Sequence, residues 1–119
     1  MSSCNITSKT LDFSTLKRAD RISVRTNSDK PVKELTDPSQ LAAALDFLDH
    51  HTTGWSENWS GPLIPALMLQ FYDGSKRLGG FGVGETYIVA DPSTYGWLSR
   101  QVKIEDRDAL LNTLTLRLP

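Results

Sequence analysis

One cysteine, Cys4, occurs in 119 residues, so no disulfide within the chain holds this fold. Histidine is almost as scarce: His50 and His51 are the whole supply. Neither belongs to a His-Glu-x-x-His or Cys-x-x-Cys pattern, so no metal or other cofactor is expected. No run of about 18 apolar residues occurs, the length that a spanning helix needs. Basic residues are dispersed, among them Lys17-Arg18, Arg21, Arg25, Lys30, Lys33, Lys76-Arg77, Arg100 and Lys103, and the formal net charge is −1. Without a basic stripe, nucleic acid is not an expected partner. There is no Gly-x-Ser-x-Gly elbow for a serine nucleophile. Internal repeats and low-complexity tracts are also missing.

The glycine-rich run Gly79-Gly80-Phe81-Gly82-Val83-Gly84 has no Gly-Lys-Ser/Thr ending. Glu85 stands where the third glycine of a dinucleotide fingerprint belongs, and no helix starts there. A strand explains the run better. At period two, Gly80, Gly82 and Gly84 share one face, while Phe81 and Val83 point to the other. A bare glycine strip weakens a strand unless something bulky covers it. A ring from residue 55, 59 or 97 is the expected cover, with a ligand lying on Gly80 and Gly82 as the competing reading.

What is present suits one domain. Hydrophobic residues make up 39% and charged residues 23%, ordinary for a globular chain of this length. Residues 1–10 are expected to form a flexible tail and 11–119 a single α+β domain. Asp20-Arg21-Ile22-Ser23-Val24-Arg25-Thr26 alternates as a half-buried strand, and Val32–Thr36 returns after the turn at Asn27–Pro31. Asp37 then suits an N-cap with Pro38 at the first helical position. Leu41, Ala44, Leu45 and Leu48 recur on one helical stripe that Phe47 broadens, and Gly54 is the expected stop. Leu63–Tyr72 reads as a strand with Pro65 near its start, and Asp73-Gly74 as a tight hairpin turn. Lys76–Val83, Thr86–Ala90 and Tyr95–Val102 continue as strands. Glu105, Asp106 and Asp108 load acids into a second helix start. Leu114, Leu116 and Leu118 alternate, so the last residues fit either helix or strand. The fold expected is a single antiparallel sheet of about five strands with two helices packed on one face.

Both histidines and two of three tryptophans fall within residues 50–62. The expected binding residues are Trp55, Trp59, Glu57, Asn58, His50 and His51, beside Gly80 and Gly82. Tryptophans give large contact area with a polar handle, and one of the pair is expected to be buried. Asp46 and His50, four apart on a helix, form an ion pair near a favourable dipole end. The leading expectation is a small non-catalytic binding or accessory domain that recognises a protein or peptide partner. A minor hydrolase or metal-assisted enzyme using His50 and His51 is one alternative. A homodimer that buries Met68, Tyr72 and Tyr87 is the other.

Met1-Ser2-Ser3-Cys4-Asn5 resembles the end of a bacterial lipoprotein signal, in which small residues precede an acylated cysteine. The resemblance implies a lipid on Cys4 and a cell-envelope location as the only membrane link; without it the chain reads as cytoplasmic.

Overall fold

The alternation at Ile22 and Val24 and the hairpin signal at Asp73-Gly74 do build antiparallel pairs. A computed structural model describes residues 9–57, 65–90 and 98–118. A 3-10 turn at Ser14–Arg18 leads into β1 (Arg21–Thr26) and β2 (Pro31–Leu35), then α1 (Pro38–Asp49). β3 (Ser56–Glu57), β4 (Leu67–Asp73), β5 (Lys76–Val83), β6 (Tyr87–Ala90) and β7 (Leu98–Gln101) follow, and α2 (Ile104–Thr113) ends the order. All seven strands form one sheet in the order β2-β1-β4-β5-β6-β7-β3, with antiparallel neighbours throughout. This is the expected α+β architecture with more strands, one of them only two residues long.

The added strand changes how α1 must run. β2 and β3 flank α1 in sequence but lie at opposite edges of the sheet. Six strand spacings of about 4.8 Å separate the edges by about 29 Å. The 12 residues of α1 supply about 18 Å of that path at about 1.5 Å per residue. The helix therefore crosses the sheet. It starts where the sequence sets it: Asp37 Oδ1 accepts from Ser39 N at 2.9 Å, and Pro38 takes the first turn. It ends earlier than Gly54. His50 is the C-cap, and Gly54 (φ 80°) instead shapes the turn before β3, where an added Cβ would touch the Arg100 guanidinium.

One sheet face is the core. Ile22, Val24, Leu67, Leu69, Phe71, Phe81, Val83 and Ile88 are buried there with Leu41, Ala44, Phe47 and Leu48 of α1 and Leu110 and Leu111 of α2. Phe47 stacks on Phe81 with centroids 5.9 Å apart, which fixes α1 over β5. Trp55 joins the same core. Its ring is 0% exposed and edge-on to Phe13, and its Nε1–H donates to His51 O at 2.7 Å. The backbone around it is tied to the N-terminal segment by Lys9 N–H to Trp55 O (2.6 Å) and Leu11 N–H to Thr52 O (2.8 Å).

The glycine strip is covered by the chain's own side chains. A Cβ at Gly82 would collide with Pro65 and Met68, and one at Gly84 with the Tyr87 ring. At Gly80 it would meet the Leu69 carbonyl oxygen of the neighbouring strand β4. The expected indole cover is thus corrected at Trp55, which lies in the core; residues 59 and 97 fall outside the described residues.

Residues 114–118 are not a strand. Thr115 adopts φ 54°, Leu116 N–H reaches Leu111 O at 2.8 Å, and Thr115 N–H reaches Asn112 O at 3.1 Å. These are the paired bonds of a Schellman exit, and the accompanying apolar partners, Leu111 and Leu116, are both buried. The alternating leucines serve that exit.

Candidate functional site

α1 and α2 run antiparallel over the sheet. Gln40 near the start of α1 donates to Thr113 O at the end of α2 (3.1 Å), and His51 just after α1 faces Asp106 in the first turn of α2. Small side chains at Ala43 and Ala109 leave space between the facing surfaces. The result is an open groove of about 530 Å³, floored by Phe47 and Leu110 and rimmed by Asp46, His50, His51 and Asp106.

Each imidazole is held by its own helix. His51 Nδ1 lies 2.6 Å from Phe47 O and His50 Nδ1 lies 2.8 Å from Asp46 O. A carbonyl only accepts, so both Nδ1 atoms carry hydrogen, and in the neutral rings Nε2 holds the lone pair. His51 is buried and stacks on Phe47 with centroids 4.3 Å apart. Its Nε2 is 3.9 Å from Asp106 Oδ2, beyond hydrogen-bond reach. His50 is exposed, and its Nδ1 is 3.6 Å from Asp46 Oδ1, the i, i+4 pair expected from sequence. Its pKa is raised, first by the bond to the Asp46 carbonyl, then by the Asp46 charge, with smaller pulls from Asp49 and Asp106. The helix ends reinforce this placement: the C-terminal end of α1 favours positive charge and the first turn of α2 favours the Asp106 carboxylate.

The site residues read from sequence therefore part company. His50 and His51 come together on the groove. Trp55 is withdrawn into the core, and Gly80 and Gly82 are buried under their neighbours, so none of these three presents a surface to a partner. Asn58, Trp59 and Cys4 lie outside the described residues, as does the Glu57 side chain. Asp106 was read as helix-start charge and Phe47 as part of the apolar stripe of α1, and Leu110 was not singled out. The antiparallel helix pair is what turns them into a site, and nothing local in the sequence encodes that pairing.

The strip Met68, Tyr72 and Tyr87 on the opposite sheet face is half-buried. Arg21 lies over the Tyr72 ring at 4.3 Å and bonds Glu34 at 2.6 Å, so charge interrupts the strip. Hydrogen bonds from Ser23 and then Arg21 hold the Glu34 carboxyl below its usual range. Among the described residues no cluster of three histidine, cysteine or acidic side chains is placed to hold a metal ion, and no helix is long and apolar enough to cross a membrane. Comparison with protein-family models, curated proteins and solved structures finds no match to this chain.

Proposed function

We propose that this chain is a recognition domain and that the α1–α2 groove, with His50 and His51 at its rim, is the surface that meets a protein or peptide partner. The single observation that carries this reading is the groove's make-up. An apolar floor of Phe47 and Leu110 sits within a rim of two carboxylates and two imidazoles, in a cleft of about 530 Å³. Such sites combine apolar contact with a few fixed polar groups that set orientation. Among the described lining residues the one hydroxyl, that of Thr113, donates to Ala109 O at 2.9 Å, which leaves the rim a set for holding charge. Compared with a surface centred on the 50–62 loop, this one keeps the histidines and replaces Trp55 with the helix pair. A lipid on Cys4 would add membrane attachment to the same role; mass spectrometry of the chain from a membrane fraction tests it, and an unmodified Cys4 there would end it.

The test is a photo-activated cross-linking residue at Ala109, exposed on the groove, compared with one at Ser75, exposed on the β4–β5 turn. A discrete adduct at Ala109 and none at Ser75 is expected in cells that make the protein. Equal adducts at both sites, or none at Ala109, would sink the reading.

A further inference from the structure

The groove carries one group that the fold itself leaves unused. His51 is buried, and its Nδ1 is fixed on Phe47 O. Its Nε2 makes no hydrogen bond among the described residues; its nearest acidic neighbour is Asp106 Oδ2, 3.9 Å away. Two acceptors at that separation cannot bond each other while the ring is neutral. They can share one donor. A nitrogen about 2.9 Å from each would see them roughly 85° apart, so two N–H bonds of an ammonium group, about 109° apart, could reach both with each hydrogen bond bent by only about 12°. Behind this polar mouth the floor is apolar, from Phe47 through Leu110 to the small side chains of Ala43 and Ala109. Asp46 adds a second carboxylate at the rim. The charge complement of the cleft is therefore a cation, and the floor asks for an alkyl stem behind it.

We propose that the groove receives a lysine side chain from a partner polypeptide, with its ammonium between His51 Nε2 and Asp106 Oδ2 and its methylenes along Phe47 and Leu110. This rests on the recognition reading of the same groove and names what is recognised. Lysine suits the site better than arginine, because a compact ammonium can point two hydrogens at acceptors held on different helices, whereas a planar guanidinium fork matches a single carboxylate. The charged groups around that pair of acceptors are Asp46, Asp49 and His50 from α1 and Asp106 from α2. Lys17 meets Asp49 at 3.5 Å and takes that carboxylate out of the balance.

The experiment titrates the full chain by calorimetry at about pH 8 with the capped peptide Ala-Leu-Lys-Leu-Ala, with the same peptide carrying norleucine for lysine, and with n-butylamine. The lysine peptide is expected to bind at least about tenfold more tightly than the norleucine peptide, as a charge-assisted pair of hydrogen bonds requires. Asp106→Asn, at a half-exposed side chain, should remove most of that advantage, and Ala109→Phe should block both peptides. Equal affinity for the two peptides, or an unchanged advantage in Asp106→Asn, overturns the lysine assignment. Butylamine binding as tightly as the peptide reassigns the site to small amines and overturns the polypeptide partner. If the Ala109 adduct forms while the lysine peptide fails, the recognition reading stands and the lysine inference falls; if neither occurs, both fall.

Discussion

Trp55 spends its whole indole inside the molecule: the ring packs edge-on against Phe13 and the N–H is bonded to His51 O. Trp55→Ala should therefore cost about 3–5 kcal/mol, as a large aromatic removed from a core does, and denaturant unfolding measures it. An unfolding midpoint like that of the parent chain would place the ring at the surface instead. His50 offers a second test. Its folded pKa is raised, so it contributes stability that is fully present below the ordinary histidine pKa and is lost as pH rises through the folded value. The carboxyls of Asp12, Glu34 and Asp37 are lowered, the first and last by bonds from the Ser14 and Ser39 backbones, so their contribution is present above the ordinary carboxylate pKa and fades on acidification. The Asp46 carbonyl outweighs its carboxylate in raising His50. Asp46→Asn should then lower the His50 titration midpoint only partly in an NMR titration; a return to the unperturbed value would show that the carboxylate alone was responsible.

At the scale of elements, two positions strain the rules of their strand or helix. Gly80 lies where any Cβ would strike the Leu69 carbonyl, a backbone group with little room to yield. Gly80→Ala should destabilise by about 1–3 kcal/mol, the cost of overpacking. Thr115 holds a left-handed conformation that a β-branched residue rarely adopts. Thr115→Gly should stabilise by about 1 kcal/mol, somewhat offset by the lost bond between Lys33 Nζ and the Thr115 hydroxyl. Thermal unfolding of the two variants should move in opposite directions, and a Thr115→Gly chain that melts lower would mean that the Lys33 contact dominates. Elements whose signals are local were legible in the sequence. Asp37-Pro38 marks the start of α1, Asp73-Gly74 closes the β4–β5 hairpin, and the apolar stripe faces the core. The exit at Leu114–Leu118 was not, because a Schellman turn normally announces itself with glycine, and threonine stands there with leucines spaced like a strand. The glycine strip was read correctly as a covered strand face, and among the described residues its covers are near neighbours, Pro65, Met68 and Tyr87, and not Trp55.

For the whole molecule, the decisive fact is that β2 and β3 occupy opposite edges of the sheet. That order sends α1 across the core face and delivers His50 and His51 to the far side, where the first turn of α2 arrives from β7. The groove is a product of topology, and so it was invisible to a reading that follows the chain. Local pattern could place the histidines at a helix end and the acids at a helix start, but it could not bring the two ends together. The account rests on that meeting of helix ends being a surface that partners use. Its most direct measurement is the yield of the Ala109 cross-link in the Asp46→Asn/Asp106→Asn double variant. Both side chains are at least half-exposed, so the unfolding midpoint should change little. The account predicts that the adduct is lost from a folded protein; an adduct formed in the double variant as readily as in the parent would contradict it.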